Sequence, residues 1–426
     1  MSLRNDTKDK VQRDCLNIWY KKGCRGTLEL PTGVGKSRCG VLAAEYIVRL
    51  NPDARVLILT PTQIIRDSGW KDEFDKWEHS DIFEKNIETA CIQTACKYKN
   101  KKYDLVIADE IHNYIPASEE YTYYKFFENN SLHRILGLSA SIEVDLLPKL
   151  NLIAPIVFTM GINEAVDLGL VSPFIVINVP VKFKMLERAA YEKSCEVFES
   201  TFEIFNKDLE FMFKCLRNKK LFHTHLREYF RLSNPSREEL SSLYQQYDSY
   251  PYNCNKAMRE RKTILYNARN KLKLSKEFSD LFKDKKGIIF SETSEFADKV
   301  QELLGDICVT EHSKIRPASK RKKNIEKFQD GRTKVNRIST VRSLNEGANL
   351  KNVEFIIVAS GTSKLKSFLQ RTGRSIRYEK GKKAVIIRLF VQNSQEEKWM
   401  RSSQEGYKVI HLPGVEEVAE YLKTEE

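Results

Sequence analysis

No stretch of this chain stays apolar for long enough to span a bilayer, and its first ten residues, Met1 to Lys10, are polar and charged. Both features argue against membrane insertion and against secretion. The nine cysteines include no Cys-x-x-Cys pair, and the closest two, Cys91 and Cys96, are too far apart for a zinc knuckle. Reduced thiols in a cytoplasmic protein are therefore expected. No repeat of solenoid length recurs along the chain.

What is present is size and positive charge. At 426 residues the chain can bury two or three cores, and its 41% hydrophobic content is that of an ordinary globular protein. Lys plus Arg number 71 against 58 Asp plus Glu, a net charge of +13. That excess suits a polyanionic partner as well as it suits plain solubility.

Short apolar runs alternate with amphipathic segments from Gly26 to Phe158. Examples are Val56 to Thr60, Leu105 to Asp109 and Ile135 to Ser139. Near-continuous apolar runs of this length mark strands buried on both faces, and the helices between them imply a doubly wound parallel sheet. The same rhythm returns at Gly287 to Phe290, Arg337 to Thr340, Phe355 to Val358 and Ala384 to Ile387, which predicts a second α/β lobe. Between them, Met185 to Lys283 is rich in Glu, Lys, Leu, Phe and Tyr, and its turn signals gather at Asn234-Pro235 and Tyr250-Pro251. This middle is read as helical, either a link between lobes or a functional arm. The expected units are 1–180, 181–283 and 284–426.

Two signatures carry chemistry. Leu30-Pro31-Thr32-Gly33-Val34-Gly35-Lys36-Ser37 lies between a short strand and a helix with apolar residues at Cys39, Leu42, Ala43, Tyr46 and Ile47. A glycine-rich turn there lets backbone N–H groups and the helix dipole meet phosphate oxygens. Lys36 would reach the β- and γ-phosphates of ATP, and Ser37 would hold Mg2+. The general pattern has a glycine where this chain has Leu30. Asp109 and Glu110 end a buried strand, at the sheet edge where open α/β sheets bind ligands. Asp109 is the candidate magnesium ligand, and Glu110 the candidate for activating the attacking water. Arg371, Arg374 and Arg377 recur every third residue, so they share one side of a helix. Arg374 and Arg377 are therefore arginine-finger candidates.

The order of these motifs resembles that of the superfamily 2 helicases, over nearly the whole chain. Leu30 to Ser37 looks like motif I, Thr60-Pro61-Thr62 like motif Ia, Asp109 to His112 like a DExH motif II, and Ser139 to Ser141 like motif III. Gly287 to Ser291, Leu344 to Leu350 and Gln370 to Arg377 look like motifs IV, V and VI. Ser141 stands where threonine is commoner. The compact length, His112, the Glu346-Gly347-Ala348-Asn349 form of motif V and the helical middle most resemble phage branch-migration helicases of the UvsW type, which would place the chain in a host cytoplasm, and the related restriction-enzyme motor subunits.

The resemblance implies twin RecA-like lobes gripping ATP between them. It implies Gln12 at the adenine, Gly347 and Asn349 at the ribose and the cleft, and Gln370 among the catalytic residues with Lys36, Asp109, Glu110, Arg374 and Arg377. It also implies contacts from Thr60, Pro61, Thr62, Gln93, Thr94, Ser291 and Thr340 to a sugar-phosphate backbone, independent of base sequence. DNA, as single strands, forks or branches, is the expected partner, with RNA as the other polynucleotide, and a monomer is the expected unit. The basic runs Lys97 to Lys102 and Lys320 to Lys323 read equally as phosphate tracks or as solvated surface.

Overall fold

The computed structural model describes residues 3–61, 69–115, 123–341, 352–360, 383–402 and 408–425. The first sheet holds β1 (Arg25–Glu29), β2 (Val56–Thr60), β3 (Ile87–Cys91), β5 (Leu105–Asp109), β7 (Ile135–Ser139) and β8 (Ile156–Thr159), while β4 (Lys102–Tyr103) and β6 (Ser131–Leu132) form a small separate ribbon. Their order is β3-β2-β5-β7-β1-β8, with every pairing parallel. Alternate residues of one strand feed opposite faces. Val56 and Ile58, with Leu105 and Ile107, enter one core, and Leu57 and Leu59, with Val106 and Ala108, enter the other. That double burial is why these strands read as unbroken apolar runs.

The second sheet joins β9 (Phe174–Val181), β10 (Gly287–Ser291), β11 (Cys308–Glu311), β12 (Arg337–Val341), β13 (Phe355–Val358), β14 (Ala384–Val391) and β15 (Val409–His411) in the order β11-β12-β10-β13-β14-β9-β15. It too is parallel throughout. The two sheets make the fold a two-lobed, RecA-like α/β architecture.

One expectation changes here. Residues 174–180 were expected in the first unit, yet β9 pairs with β14 along its full length, from Phe174 opposite Ala384 to Val181 opposite Val391. By strand pairing the first sheet therefore closes before Phe174. The physical reason is that a strand buried on both faces carries no mark of which sheet covers it.

Six helices lie between Met185 and Leu281. Tyr191, Leu265, Ala268 and Phe278 from this segment pack into the core of the second sheet. A satellite core of Phe198, Phe205, Met212, Phe222, Leu226 and Met258 holds the rest together. Lys271 and Glu396, both fully buried, form an ion pair at 2.7 Å that ties the last of these helices to helix Gln395–Ser402. No helix among the described residues is long and apolar enough to cross a membrane.

Candidate active site

Because all strands of the first sheet run the same way, their carboxyl ends share one edge. Register places Glu29 beside Ser139, and Asp109 beside Leu138. At that edge β1 gives way to the turn 31–35 and then to helix Lys36–Leu50. Gly33 and Gly35 hold φ angles of 104° and 98°, a region costly for any residue with a Cβ. Leu30, at the position of the missing glycine, is fully buried in the core beneath the turn. Its carbonyl accepts from Lys36 Nζ at 3.2 Å. The leucine thus anchors the loop by packing, and its backbone aims the lysine.

Asp109, only 5% exposed, ends β5. Glu110 then adopts a left-handed conformation, φ 52° and ψ 52°, uncommon for a residue with a side chain and worth about 1–3 kcal/mol of strain. The twist brings Glu110 Oε1 to 3.8 Å from Lys36 Nζ, with both side chains largely buried. Tyr114 donates to the Asp109 carbonyl at 2.5 Å and holds the end of the strand.

His112 extends this cluster. Its Nδ1 lies 2.8 Å from Ser139 Oγ and 3.5 Å from Glu110 Oε2. Ser139 gives its hydroxyl proton to the Ser141 carbonyl at 2.7 Å. A hydroxyl has one proton, so the bond to His112 needs the imidazole Nδ1–H as donor. The acidic turn and the end of β7 are thereby joined.

Gln12 is fully buried, against the loop itself. Its amide donates to the Val34 carbonyl at 2.7 Å, and its oxygen accepts from Arg38 at 2.7 Å. Arg38 in turn pairs with Asp9 and lies 4.0 Å from the centre of the Trp77 ring. A Cβ on Gly35 would collide with the Gln12 amide.

The resemblance-based contacts to a nucleic-acid strand fare unevenly. Gln93 and Thr94 are exposed, Pro61 is half-buried, and the Gln93 amide donates to the Pro61 carbonyl at 3.2 Å. Thr60, Ser291 and Thr340 are buried. The Thr60 hydroxyl lies 3.5 Å from the Ala90 carbonyl, that of Ser291 donates to the Thr293 carbonyl at 3.0 Å, and that of Thr340 donates to Glu311 at 3.1 Å. Their hydroxyls therefore face protein. Thr62, Gly347, Asn349, Gln370, Arg374 and Arg377 lie outside the described residues.

Sequence reading missed Arg38 and Tyr114. Arg38 directly follows Ser37, and Asp9 and Gln12 sit three apart on one helix, so a facing pair was the available signal.

The donor set fits magnesium nucleotide. One carboxylate and one hydroxyl, Asp109 and Ser37, are hard oxygen ligands that leave positions for phosphate and water. The two positive-φ glycines let the backbone come close to a polyphosphate.

A glycine-rich loop facing a carboxylate pair on a two-lobed parallel-sheet fold is the arrangement a nucleotide-driven motor requires. Comparison with known proteins agrees. Residues 5–144 match the family "Type III restriction enzyme, res subunit", and residues 269–379 match "Helicase conserved C-terminal domain". The DNA 3'-5' translocase XPB2 of Sulfurisphaera tokodaii is 24% identical, over 93% of this chain and 86% of that protein. Among solved structures, S. cerevisiae Dbp5 bound to RNA and ADP BeF3 aligns with a TM-score of 0.59 at 12% identity, covering 97% of this chain and 93% of that one. The Pyrococcus furiosus Hef helicase domain aligns at 0.53 and 15%, over 93% of this chain and 97% of that one. The family and curated matches support a superfamily 2 helicase, an ATP-dependent helicase/ATPase acting as a nucleic-acid motor. The two solved structures share its fold.

Proposed function

We propose that the chain couples ATP hydrolysis to movement along DNA and remodels forks or branched recombination and repair intermediates. The observation that carries the reading is the approach of Lys36 to Glu110, 3.8 Å, at the sheet edge where Asp109 also emerges. Magnesium-bound ATP supplies the scissile γ-phosphate and the electrophilic phosphorus. Lys36 binds its β- and γ-oxygens, Ser37 and Asp109 hold the metal, and Glu110 orients the attacking water and takes its proton. Gln12 fixes the loop, with Pro31, Thr32, Gly33, Val34 and Gly35 as the cradle. By the motif resemblance Gly347, Asn349, Gln370, Arg374 and Arg377 would act on the same nucleotide, the arginines meeting the charge that builds on the transferring phosphoryl group.

Gln93 and Thr94, being exposed, are the first-lobe side chains best placed to touch a strand. DNA is favoured over RNA because the curated relative is described as a DNA translocase. The match to a restriction-enzyme subunit favours a second reading, a double-strand translocase that never separates strands. The form of motif V and His112, which resemble those of the UvsW-like branch-migration helicases, support the branched-substrate reading.

The deciding experiment measures ATPase and unwinding side by side on single strands, forks, four-way junctions and RNA duplexes, with triplex displacement as a third channel. Strongest stimulation by branched DNA is expected. Equal stimulation by RNA removes the DNA assignment, and triplex displacement without unwinding selects the second reading.

A further inference from the structure

The helical segment carries a surface that the ATP site does not use. From Lys214 to Arg237 there are seven Lys or Arg and one carboxylate, Glu228, a far steeper bias than the chain's 71 to 58. Arg217, Lys220, Arg227, Arg231 and Arg237 are all exposed, and none of the five is in an ion pair among the described residues. The next carboxylates begin helix Arg237–Tyr247, where Glu239 is turned back to cap Ser236.

Aromatic rings lie among these cations. At the end of helix Lys219–Tyr229, Tyr229 is 41% exposed and Phe230 36%. Their centroids are 5.1 Å apart, Phe230 meets Tyr247 at 5.0 Å, and Tyr247 meets Tyr250 at 4.8 Å. Tyr247 and Tyr250 pack against the satellite core, whereas Tyr229 and Phe230 do not belong to it. Tyr229 also meets His225 at 5.9 Å, so each ring is steadied by a neighbour in the arm and still leaves over a third of its surface in water. Beside them Arg227 donates to the Tyr244 hydroxyl at 2.8 Å, which leaves most of its guanidinium donors for another acceptor.

We infer that Tyr229 and Phe230, flanked by Arg227 and Arg231, form a stacking site for single-stranded nucleic acid, separate from the strand contacts expected of the two sheets. Every base offers a π face and every nucleotide a phosphate, so rings interleaved with unpaired cations match such a strand without reading its sequence. Lys214 and Lys219 pair with Glu210 and Asp248, but the five other cations carry no ion pair among the described residues, a surplus that suits a polyanion better than a protein of mixed charge. The inference rests on the nucleic-acid reading of the preceding section, and it names where an additional grip lies.

The test is fluorescence anisotropy of the full chain with labelled oligothymidylate, without nucleotide, across a salt series. The double variant Tyr229→Ala/Phe230→Ala is expected to bind about ten-fold more weakly with an unchanged salt slope. Arg227→Gln/Arg231→Gln should lower that slope by about 1.4, at roughly 0.7 per phosphate contact. Tyr229→Trp should retain affinity, and its added indole emission should be quenched by the oligonucleotide, which a fold defect could not mimic. If the wild-type chain binds and both double variants bind equally well with the same slope, the stacking site is overturned while the motor reading stands. If the wild-type chain binds no nucleic acid, both fall.

Discussion

Lys36 Nζ stands 3.8 Å from Glu110 Oε1 while donating to the Leu30 carbonyl at 3.2 Å, so one ammonium joins the phosphate loop to the acidic turn. The left-handed backbone of Glu110 is what makes the approach. Glu110→Gln keeps the shape and removes the base. Nucleotide binding is expected to survive, while turnover falls by at least about 100-fold, the scale on which a positioned general base contributes. Fluorescent-nucleotide titration beside steady-state ATPase checks this. Undiminished turnover would mean that the carboxylate is structural and ATP acts only as a conformational ligand.

Gly35 offers a sharper probe of the loop. Its φ of 98° and its contact with Gln12 are two separate objections to a side chain. Gly35→Ala should abolish ATP turnover, and the double variant Gly35→Ala/Gln12→Ala should not restore it, because removing the amide relieves the collision but not the backbone strain. Gln12→Ala alone should raise KM for ATP about five- to ten-fold, the worth of one buried hydrogen bond on the loop. Recovery in the double variant would show that crowding alone explains the glycine.

How much of this was legible follows from the range of each interaction. The runs Val56 to Thr60, Leu105 to Asp109 and Ala384 to Ile387 announced strands because both faces are buried, a local property of composition. The phosphate loop and Asp109-Glu110 announced themselves because their chemistry needs fixed residue types at fixed spacing. Ownership of Phe174 to Val181 was not legible, since its partner strand Ala384–Val391 lies far along the chain and pairing leaves no imprint on either run. The direction of the Thr60, Ser291 and Thr340 hydroxyls was not legible for the same reason. Motif resemblance gives a residue's position, but the direction of its hydroxyl depends on acceptors such as Glu311 on a neighbouring strand.

Asp248 sets a pH dependence on the helical arm. Burial pushes its carboxyl up, but Lys219 at 2.7 Å and His223 at 2.6 Å outweigh burial and hold it below the ordinary value. A depressed carboxylate stabilises the fold above its unfolded pKa, and that contribution disappears as pH falls through the folded one. The arm should therefore loosen at pH below about 4, and Asp248→Asn should flatten that acid limb while costing stability at neutral pH. Hydrogen exchange of helices Lys219–Tyr229 and Arg237–Tyr247, followed against pH, reads it directly. An identical acid limb in the variant would assign the transition to other groups.

The buried pair Lys271–Glu396 predicts an asymmetry between single and double substitutions. Both side chains have no exposure, and the Lys271 ammonium also donates to the Leu265 carbonyl at 2.8 Å, while Glu396 accepts from the Val391 N–H at 2.9 Å. Burial pulls the lysine below its ordinary value even with the carboxylate beside it. Desolvation is thus the larger influence, and attraction offsets only part of it. Lys271→Met leaves a buried carboxylate without its cation and should destabilise the second lobe by about 3–5 kcal/mol. Lys271→Met/Glu396→Met removes both charges and should recover most of that loss, because two unbranched apolar chains fill a similar volume. Urea unfolding of the single and double variants distinguishes the cases. If the double variant is as unstable as the single, the pair earns its place through the backbone bonds to Leu265 and Val391, and the helical segment is held to the second sheet by those bonds rather than by charge.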